Sequence, residues 1–157
     1  TLCGLCHYDY NNPNAYGYEQ AFQAMRELRL SYSDAEQLYL RMVFNVIARN
    51  QDDHTKNISF LMDTAGKWKL SPAYDVTYAY NPENKWIARH QMSVNGKREG
   101  IDQNDLLNVA KQMNIKKPKE IIMQVKETMI NWKYFAQEAQ MPEKQALILE
   151  RTFLMGI

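Results

Sequence analysis

The sequence lacks the features that define several large classes of protein. Its 157 residues include only two cysteines and six glycines. Two thiols are too few for a disulfide-stabilised scaffold. The glycines are not clustered, so the sequence contains no glycine-rich, phosphate-binding loop. No apolar run approaches the ~18 residues that a membrane-spanning helix needs, and the first residues lack the basic and then apolar pattern of a signal peptide. We therefore expect a cytoplasmic protein with no membrane partner.

The chain also lacks an excess of charge of either sign. Nineteen lysines and arginines accompany eighteen aspartates and glutamates, which gives a net charge of +1. Such a balance creates no long-range field that would gather nucleic acid, anionic lipid or an acidic partner. A basic cluster at Lys111, Lys116, Lys117 and Lys119 is interpreted as a solvated surface, because no aromatic residues interleave with it. We expect no direct binding of nucleic acid.

The composition that remains is typical of a single globular domain. Hydrophobic residues make up 45% and charged residues 24% of the chain, and the length corresponds to about one domain, expected over residues 1–157. The chain begins at Thr1, and helical periodicity starts within its first twenty residues. We therefore expect a piece of a longer protein.

Hydrophobic periodicity predicts a mainly helical fold with one small β-hairpin. A first helix is expected over residues 18–29. A second helix should begin at a capping box formed by Ser33 and Glu36 and run to Ala48. Its second half is apolar on nearly all sides, so we expect it to be the central helix. Residues 58–62 and 67–70 flank a glycine-containing turn and predict the hairpin. Three further helices are expected over residues 102–113, 118–139 and 143–154.

The two cysteines lie in the segment Cys3-Gly4-Leu5-Cys6-His7, which matches the C-x-x-C-H pattern of covalent haem attachment. Attachment of c-type haem requires export to an oxidising compartment, and no export signal is visible. The other histidines lack the paired spacing of a zinc finger. We interpret Cys3 and Cys6 as reduced structural residues, with a c-type haem protein as an alternative that an absorption spectrum would test.

A polar loop is expected over residues 49–57, directly after the second helix. Two aspartates and one asparagine lie in this loop and after the hairpin, at positions where a fold does not need them. Asp52 and Asn57 have the D-x-x-x-x-N spacing of a protein-kinase catalytic loop. Phosphoryl transfer needs an anionic acceptor near the attacking hydroxyl and, a few ångströms away, oxygen ligands for magnesium. Asn57 would be one such ligand. The hairpin returns the chain to Asp75, which could lie beside Asn57 as the second ligand. The competing interpretation is a polar loop whose side chains cap turns.

A second carboxylate adjoins the candidate base. Because adjacent loop residues seldom face the same way, we expect Asp53 to stabilise the loop or to be solvated, and not to act as a second base. His7 and His90 are interpreted as ordinary polar or packed residues.

The same segment resembles the C-terminal part of HipA-family serine/threonine kinases, which are toxins of bacterial toxin–antitoxin modules. The resemblance is densest in Asn50-x-Asp52-x-His54-x-Lys56-Asn57, Phe60-Leu61, Gly66-x-Trp68 and Pro72-Ala73-Tyr74-Asp75. It extends to the Cys3-Gly4-Leu5 opening, to Met42-Val43-Phe44-Asn45, and to His90-Gln91-Met92-Ser93 with Asn95-Gly96-Lys97. It covers residues 1–139.

The resemblance implies the C-terminal lobe of a bilobal, protein-kinase-like fold whose N-terminal lobe is absent. Asp52 would be the catalytic base and Mg²⁺ the cofactor, held by Asn57 and Asp75. ATP would be the phosphate donor, bound near His54, Lys56, Asn57, Tyr74 and Asp75. The expected partners are a DNA-binding, HipB-like antitoxin and a protein substrate such as an aminoacyl-tRNA synthetase.

The sequence departs from the kinase pattern in one large respect. It has neither a glycine-rich loop nor a strand-borne lysine ahead of Asp52, the two parts that hold the phosphates of ATP in a protein kinase. We therefore expect the isolated chain to bind ATP weakly and to transfer phosphate negligibly. The alternative function is a non-catalytic, kinase-like module that binds a partner protein.

Overall fold

The structure, a computed structural model, describes residues 1–9, 12 and 15–157. The elements of this described part are α1 (Leu2–Leu5), α2 (Tyr18–Glu27), α3 (Tyr32–Ile47), a 3₁₀ turn (Thr55–Asn57), β1 (Phe60–Met62), β2 (Trp68–Leu70), α4 (Gln103–Met113), α5 (Pro118–Ile130), α6 (Trp132–Glu138) and α7 (Glu143–Glu150). The prediction of a mainly helical fold with a small hairpin is confirmed.

The core is built around α3, as the apolar second half of that helix predicted. Its inward side chains are fully buried: Leu38, Tyr39, Met42, Val43, Val46 and Ile47. Burial of each such side chain contributes about 1.5–3 kcal/mol. Helices α2 and α5 and strand β2 pack against α3, so the loop that follows α3 starts from the buried centre of the fold.

The start of α3 corrects the predicted capping box. Ser31, and not Ser33, is the N-cap: its Oγ accepts from the Asp34 backbone N at 3.2 Å, and Asp34 Oδ2 accepts from the Ser31 N at 3.1 Å. Helix α2 ends at Glu27, two residues before the predicted boundary, and Arg29 turns the chain with a φ of 56°. The earlier turn leaves Ser31 in the extended conformation that an N-cap requires.

The hairpin follows the prediction. Strands β1 and β2 pair antiparallel, with Phe60 opposite Leu70 and Met62 opposite Trp68. Asp63 Oδ1 closes the turn by accepting from two backbone N–H groups, each at 2.9 Å. At the end of the hairpin away from this turn, the Leu70 N donates a hydrogen bond to Asp34 Oδ1 at 3.1 Å. The hairpin is therefore attached to the first turn of α3.

The predicted helix over residues 118–139 is broken into two. Helix α5 ends at Ile130 and α6 begins at Trp132, because the Trp132 ring turns toward α7: its Nε1 donates to the Ala146 carbonyl at 2.9 Å, and its centroid lies 5.2 Å from that of Phe153. The apolar periodicity continues through the break, which explains why the pattern predicted one helix. Helix α7 is also shorter than predicted and ends at Glu150.

The described residues contain no helix that is both long enough and apolar enough to cross a membrane.

Candidate functional site

The loop of residues 49–57 is fixed at its entrance. Arg49, two residues after the end of α3, has a left-handed φ of 60°. The Gln51 N then donates to the Ala79 carbonyl, and the Ala79 N donates to the Arg49 carbonyl, both at 3.0 Å. This reciprocal pair attaches the loop to the segment that follows Asp75. The two stretches of chain that carry the predicted site residues are therefore connected by backbone hydrogen bonds.

Asp52 lies at an accessible point of this loop. Its side chain is 47% exposed, and its Oδ1 lies 3.8 Å from Nε2 of His54, whose side chain is 26% exposed. Partial burial raises the pKa of Asp52 above the ordinary value; His54 and Lys56 lower it, whereas Asp75 and Asp53 raise it. The net shift is upward, so this carboxylate holds a proton more strongly than a free aspartate.

Asn57 joins the three predicted residues. It ends the 3₁₀ turn, and its Nδ2 donates to the Asp52 backbone carbonyl at 3.0 Å and to Asp75 Oδ2 at 2.9 Å. Asp75 reaches this position in a left-handed conformation, with φ 53°. The structure thus brings Asp52, Asn57 and Asp75 together at one place, as their spacing predicted.

Tyr74 braces the same place through its hydroxyl group. Its Oη donates to the Lys56 backbone carbonyl and shares a second hydrogen bond with Ser59 Oγ, both at 2.5 Å. The Lys56 side chain itself is exposed. Lys56 and Tyr74 therefore flank the Asn57–Asp75 contact, and the tyrosine hydroxyl group bonds to other groups of the chain.

The oxygen atoms of Asn57 and Asp75 fit a magnesium site. The two side chains are in direct contact, with Asn57 Nδ2 2.9 Å from Asp75 Oδ2. One carboxylate and one amide oxygen are the hard ligands that magnesium prefers, and the ion commonly keeps several waters. Among the described residues no group of three or more histidine, cysteine, aspartate or glutamate side chains could hold a metal ion.

The cavities around the site differ greatly in size. A cavity of about 30 Å³ lies under the loop, lined by Asn50, Asp53, His54, Asn57 and Asp75 among others. A groove of about 490 Å³ adjoins it across residues 73–76 and is lined mainly by α3 and α5, with Leu40, Phe44 and Val125 among its apolar residues. Ligand pockets commonly measure ~300–1,000 Å³, so a nucleotide at Asn57 and Asp75 would lie on an open face of this chain.

Asp53 is buried and bonded within the protein, which fits the first of the two roles expected from the sequence, a loop-stabilising or a solvated carboxylate. It is buried, and its carboxylate accepts hydrogen bonds from the Tyr18 hydroxyl, the Gln91 backbone N and the His90 ring. The sequence placed Tyr18 only at the start of a predicted helix and His90 only among ordinary polar or packed residues. The signal that could have linked them was the position of His90 in a segment that carries the family resemblance.

The cysteines lie in and next to α1, with Cys3 inside the helix and Cys6 at its C-cap. Cys3 is buried, Cys6 is half-buried, and both are free thiols. Helix α1, which carries Cys3, is attached to the end of the loop by a 2.7 Å hydrogen bond from the Leu2 N to the Ile58 carbonyl.

Comparison with known proteins gives one family. The model described as the HipA-like C-terminal domain matches residues 1–133, a range that contains the 49–57 loop, the hairpin and Asp75. No curated protein matches the chain.

Proposed function

Because the chain belongs to the HipA-like C-terminal domain family, we propose that it is the catalytic lobe of an ATP- and magnesium-dependent protein serine/threonine kinase, the toxin of a type II toxin–antitoxin module. The observation that carries the proposal is the position of Asn57, whose amide group contacts both the Asp52 backbone and the Asp75 carboxylate. A base and two metal ligands on one small surface are what phosphoryl transfer requires.

In this proposal Asp52 orients the hydroxyl group of the acceptor residue and accepts its proton. The side chain is accessible enough to meet a protein substrate. Its raised pKa, caused first by partial burial, makes it a better proton acceptor than an ordinary aspartate. A general base of this kind contributes about 10²–10⁴-fold to the rate.

Asn57 and Asp75 would hold magnesium, which neutralises charge on the phosphates of ATP when it is bound. The remaining candidates surround this pair. His54 lies next to Asp52, and the Lys56 side chain supplies an exposed positive charge. The Tyr74 hydroxyl group holds the backbone carbonyl of Lys56, the residue before Asn57. All of these residues would lie near the nucleotide.

The open face of the site supports a kinase-like C-terminal lobe that works with a second lobe. The cavity at the loop is about 30 Å³, much smaller than a nucleotide pocket, so another part of the protein must cover the adenine and the outer phosphates. The isolated chain should therefore bind ATP weakly. The family resemblance further supports a DNA-binding, HipB-like antitoxin as partner and a protein such as an aminoacyl-tRNA synthetase as substrate.

The test is a phosphotransfer assay on the protein that carries this chain together with its nucleotide-covering lobe. Asp52→Asn should lower the rate about 10²–10⁴-fold and remove toxicity in cells, while the fold remains. The matched control is Asp63→Asn, at an exposed aspartate in the hairpin turn, which should keep full activity.

Two outcomes would contradict the proposal. Retained activity in Asp52→Asn would remove the assignment of the base. A wild-type protein that binds magnesium and ATP but transfers no phosphate to any acceptor would favour the non-catalytic module.

A further inference from the structure

Asp52 and Asp53 are adjacent carboxylates in opposite environments. The Asp52 side chain is 47% exposed, whereas that of Asp53 is 1% exposed. The two residues share one planar peptide bond, so the position of the Asp53 backbone constrains that of Asp52. Fixing Asp53 therefore also restrains Asp52.

Asp53 is held by groups from two distant parts of the chain. Its Oδ2 accepts from the Tyr18 hydroxyl at 2.8 Å and lies 2.8 Å from His90 Nδ1, and its Oδ1 accepts from the Gln91 N at 2.8 Å. Tyr18 is in turn held by α3, because Asn45 Nδ2 donates to its hydroxyl oxygen at 2.9 Å. The carboxylate is thus fixed from α2, from α3 and from the segment around residue 90.

His90 is itself held in place by hydrogen bonds. Its ring is 2% exposed, its backbone N donates to the Arg98 carbonyl at 3.0 Å, and its carbonyl accepts from the Arg98 guanidinium group. Because an ionised carboxylate accepts hydrogen bonds and donates none, Nδ1 of the ring is the donor in this contact. His90 therefore donates a hydrogen bond of defined direction to Asp53.

We infer that His90 is a positioning residue for phosphotransfer: acting through Asp53, it fixes the 49–57 loop so that Asp52 faces the acceptor hydroxyl. The inference rests on the proposed function. A buried carboxylate that loses a partner cannot stay where it is without a large penalty, and a shift of Asp53 moves Asp52 with it. A displacement of about 1 Å at a reacting group can cost about 100-fold in rate.

The experiment compares His90→Asn with His90→Leu in the protein with both lobes. The amide nitrogen of asparagine takes the place of Nδ1, so His90→Asn should keep a kcat close to that of the wild type. His90→Leu fills the site without a donor, and its kcat per folded molecule should fall about 100-fold. The KM for ATP should hardly change, because Asn57 and Asp75 are untouched.

Asp105→Asn provides a matched control for stability alone. Asp105 is also a buried carboxylate with three hydrogen-bond donors, from Asn95, Lys97 and the Asp102 backbone, but it lies at the start of α4. This variant should lower the melting temperature and leave kcat unchanged. If His90→Leu does not fold, His90→Gln serves in its place, since its longer side chain misplaces the donor.

The outcomes separate the inference from the proposed function. If Asp52→Asn is inactive while His90→Leu, or His90→Gln, keeps its kcat per folded molecule, His90 is only structural and the inference is overturned. A change in the KM for ATP without a change in kcat would overturn it too. Loss of the proposed function would appear instead as an inactive wild type or an active Asp52→Asn.

Discussion

The hydroxyl group of Tyr74 and the backbone carbonyl of Lys56 lie 2.5 Å apart, which joins the residue before one proposed metal ligand to the residue before the other. The contact acts together with the direct hydrogen bond from Asn57 Nδ2 to Asp75 Oδ2 at 2.9 Å. The Tyr74 hydroxyl group therefore helps to align the two ligands of the proposed magnesium site.

Tyr74→Phe should therefore weaken the binding of magnesium. Removal of the hydroxyl group takes away a hydrogen bond worth about 1 kcal/mol, and the apparent magnesium affinity in a phosphotransfer assay should fall by up to about tenfold. Tyr134→Phe is the control, since Tyr134 is 59% exposed on α6. An unchanged magnesium dependence in Tyr74→Phe would show that the hydroxyl group does not align the ligands.

The pH dependence of activity should reflect the raised pKa of Asp52. Only the ionised carboxylate accepts a proton, so kcat should fall as the pH drops through this pKa. The fall should occur at a higher pH than it would for an aspartate with the ordinary pKa of about 3.9. Lys56 lowers the pKa of Asp52, so Lys56→Gln should move the acidic limb of kcat to still higher pH. Lys69→Gln, an exposed lysine of β2, should leave the limb in place.

Asp52→Asn should also make the folded protein more stable at neutral pH. The pKa of Asp52 is raised in the folded state, chiefly by burial, so the ionised group favours the unfolded chain once the pH exceeds the ordinary pKa of aspartate. The gain in the free energy of unfolding should be present at pH 7 and should disappear as the pH falls below both pKa values. Urea titrations of the two proteins at several pH values would measure it. A gain that does not vary with pH would contradict this account.

Ser31→Ala should destabilise the protein by about 1 kcal/mol, the usual cost of losing an N-cap. Ser33 is the matched control, because it was the predicted cap and lies two residues along the same turn, with its Oγ 2.8 Å from that of Ser31. Ser33→Ala should cost distinctly less. Thermal or urea denaturation of both variants measures the difference, and a larger loss in Ser33→Ala would reverse the assignment of the cap.

The sequence predicted those features that depend on residues near one another in the chain. The hairpin follows from a turn between two short apolar runs, and the approach of Asp75 to Asn57 follows from the hairpin. The position of the cap did not follow, since Ser31 and Ser33 both have suitable side chains. Only the backbone, turned early at Arg29, selects between them.

The sequence did not predict contacts between segments that are distant along the chain. His90 meets Asp53 across 37 residues and Tyr18 meets it across 35, and no periodicity or spacing relates residues so far apart. The break at Asn131 has a similar origin, because the packing of Trp132 on Phe153 changes the helix direction without interrupting the apolar pattern.

The left-handed backbone of Asp75 limits which residues can replace it. At a φ of 53° most side chains are strained by roughly 1–2 kcal/mol, whereas glycine, asparagine and aspartate adopt the conformation more readily. Of these three, only aspartate brings a negative charge. Natural variation at this position should therefore be narrow for two separate reasons, the shape of the chain and the charge of the side chain, and even a glutamate would satisfy only one of them.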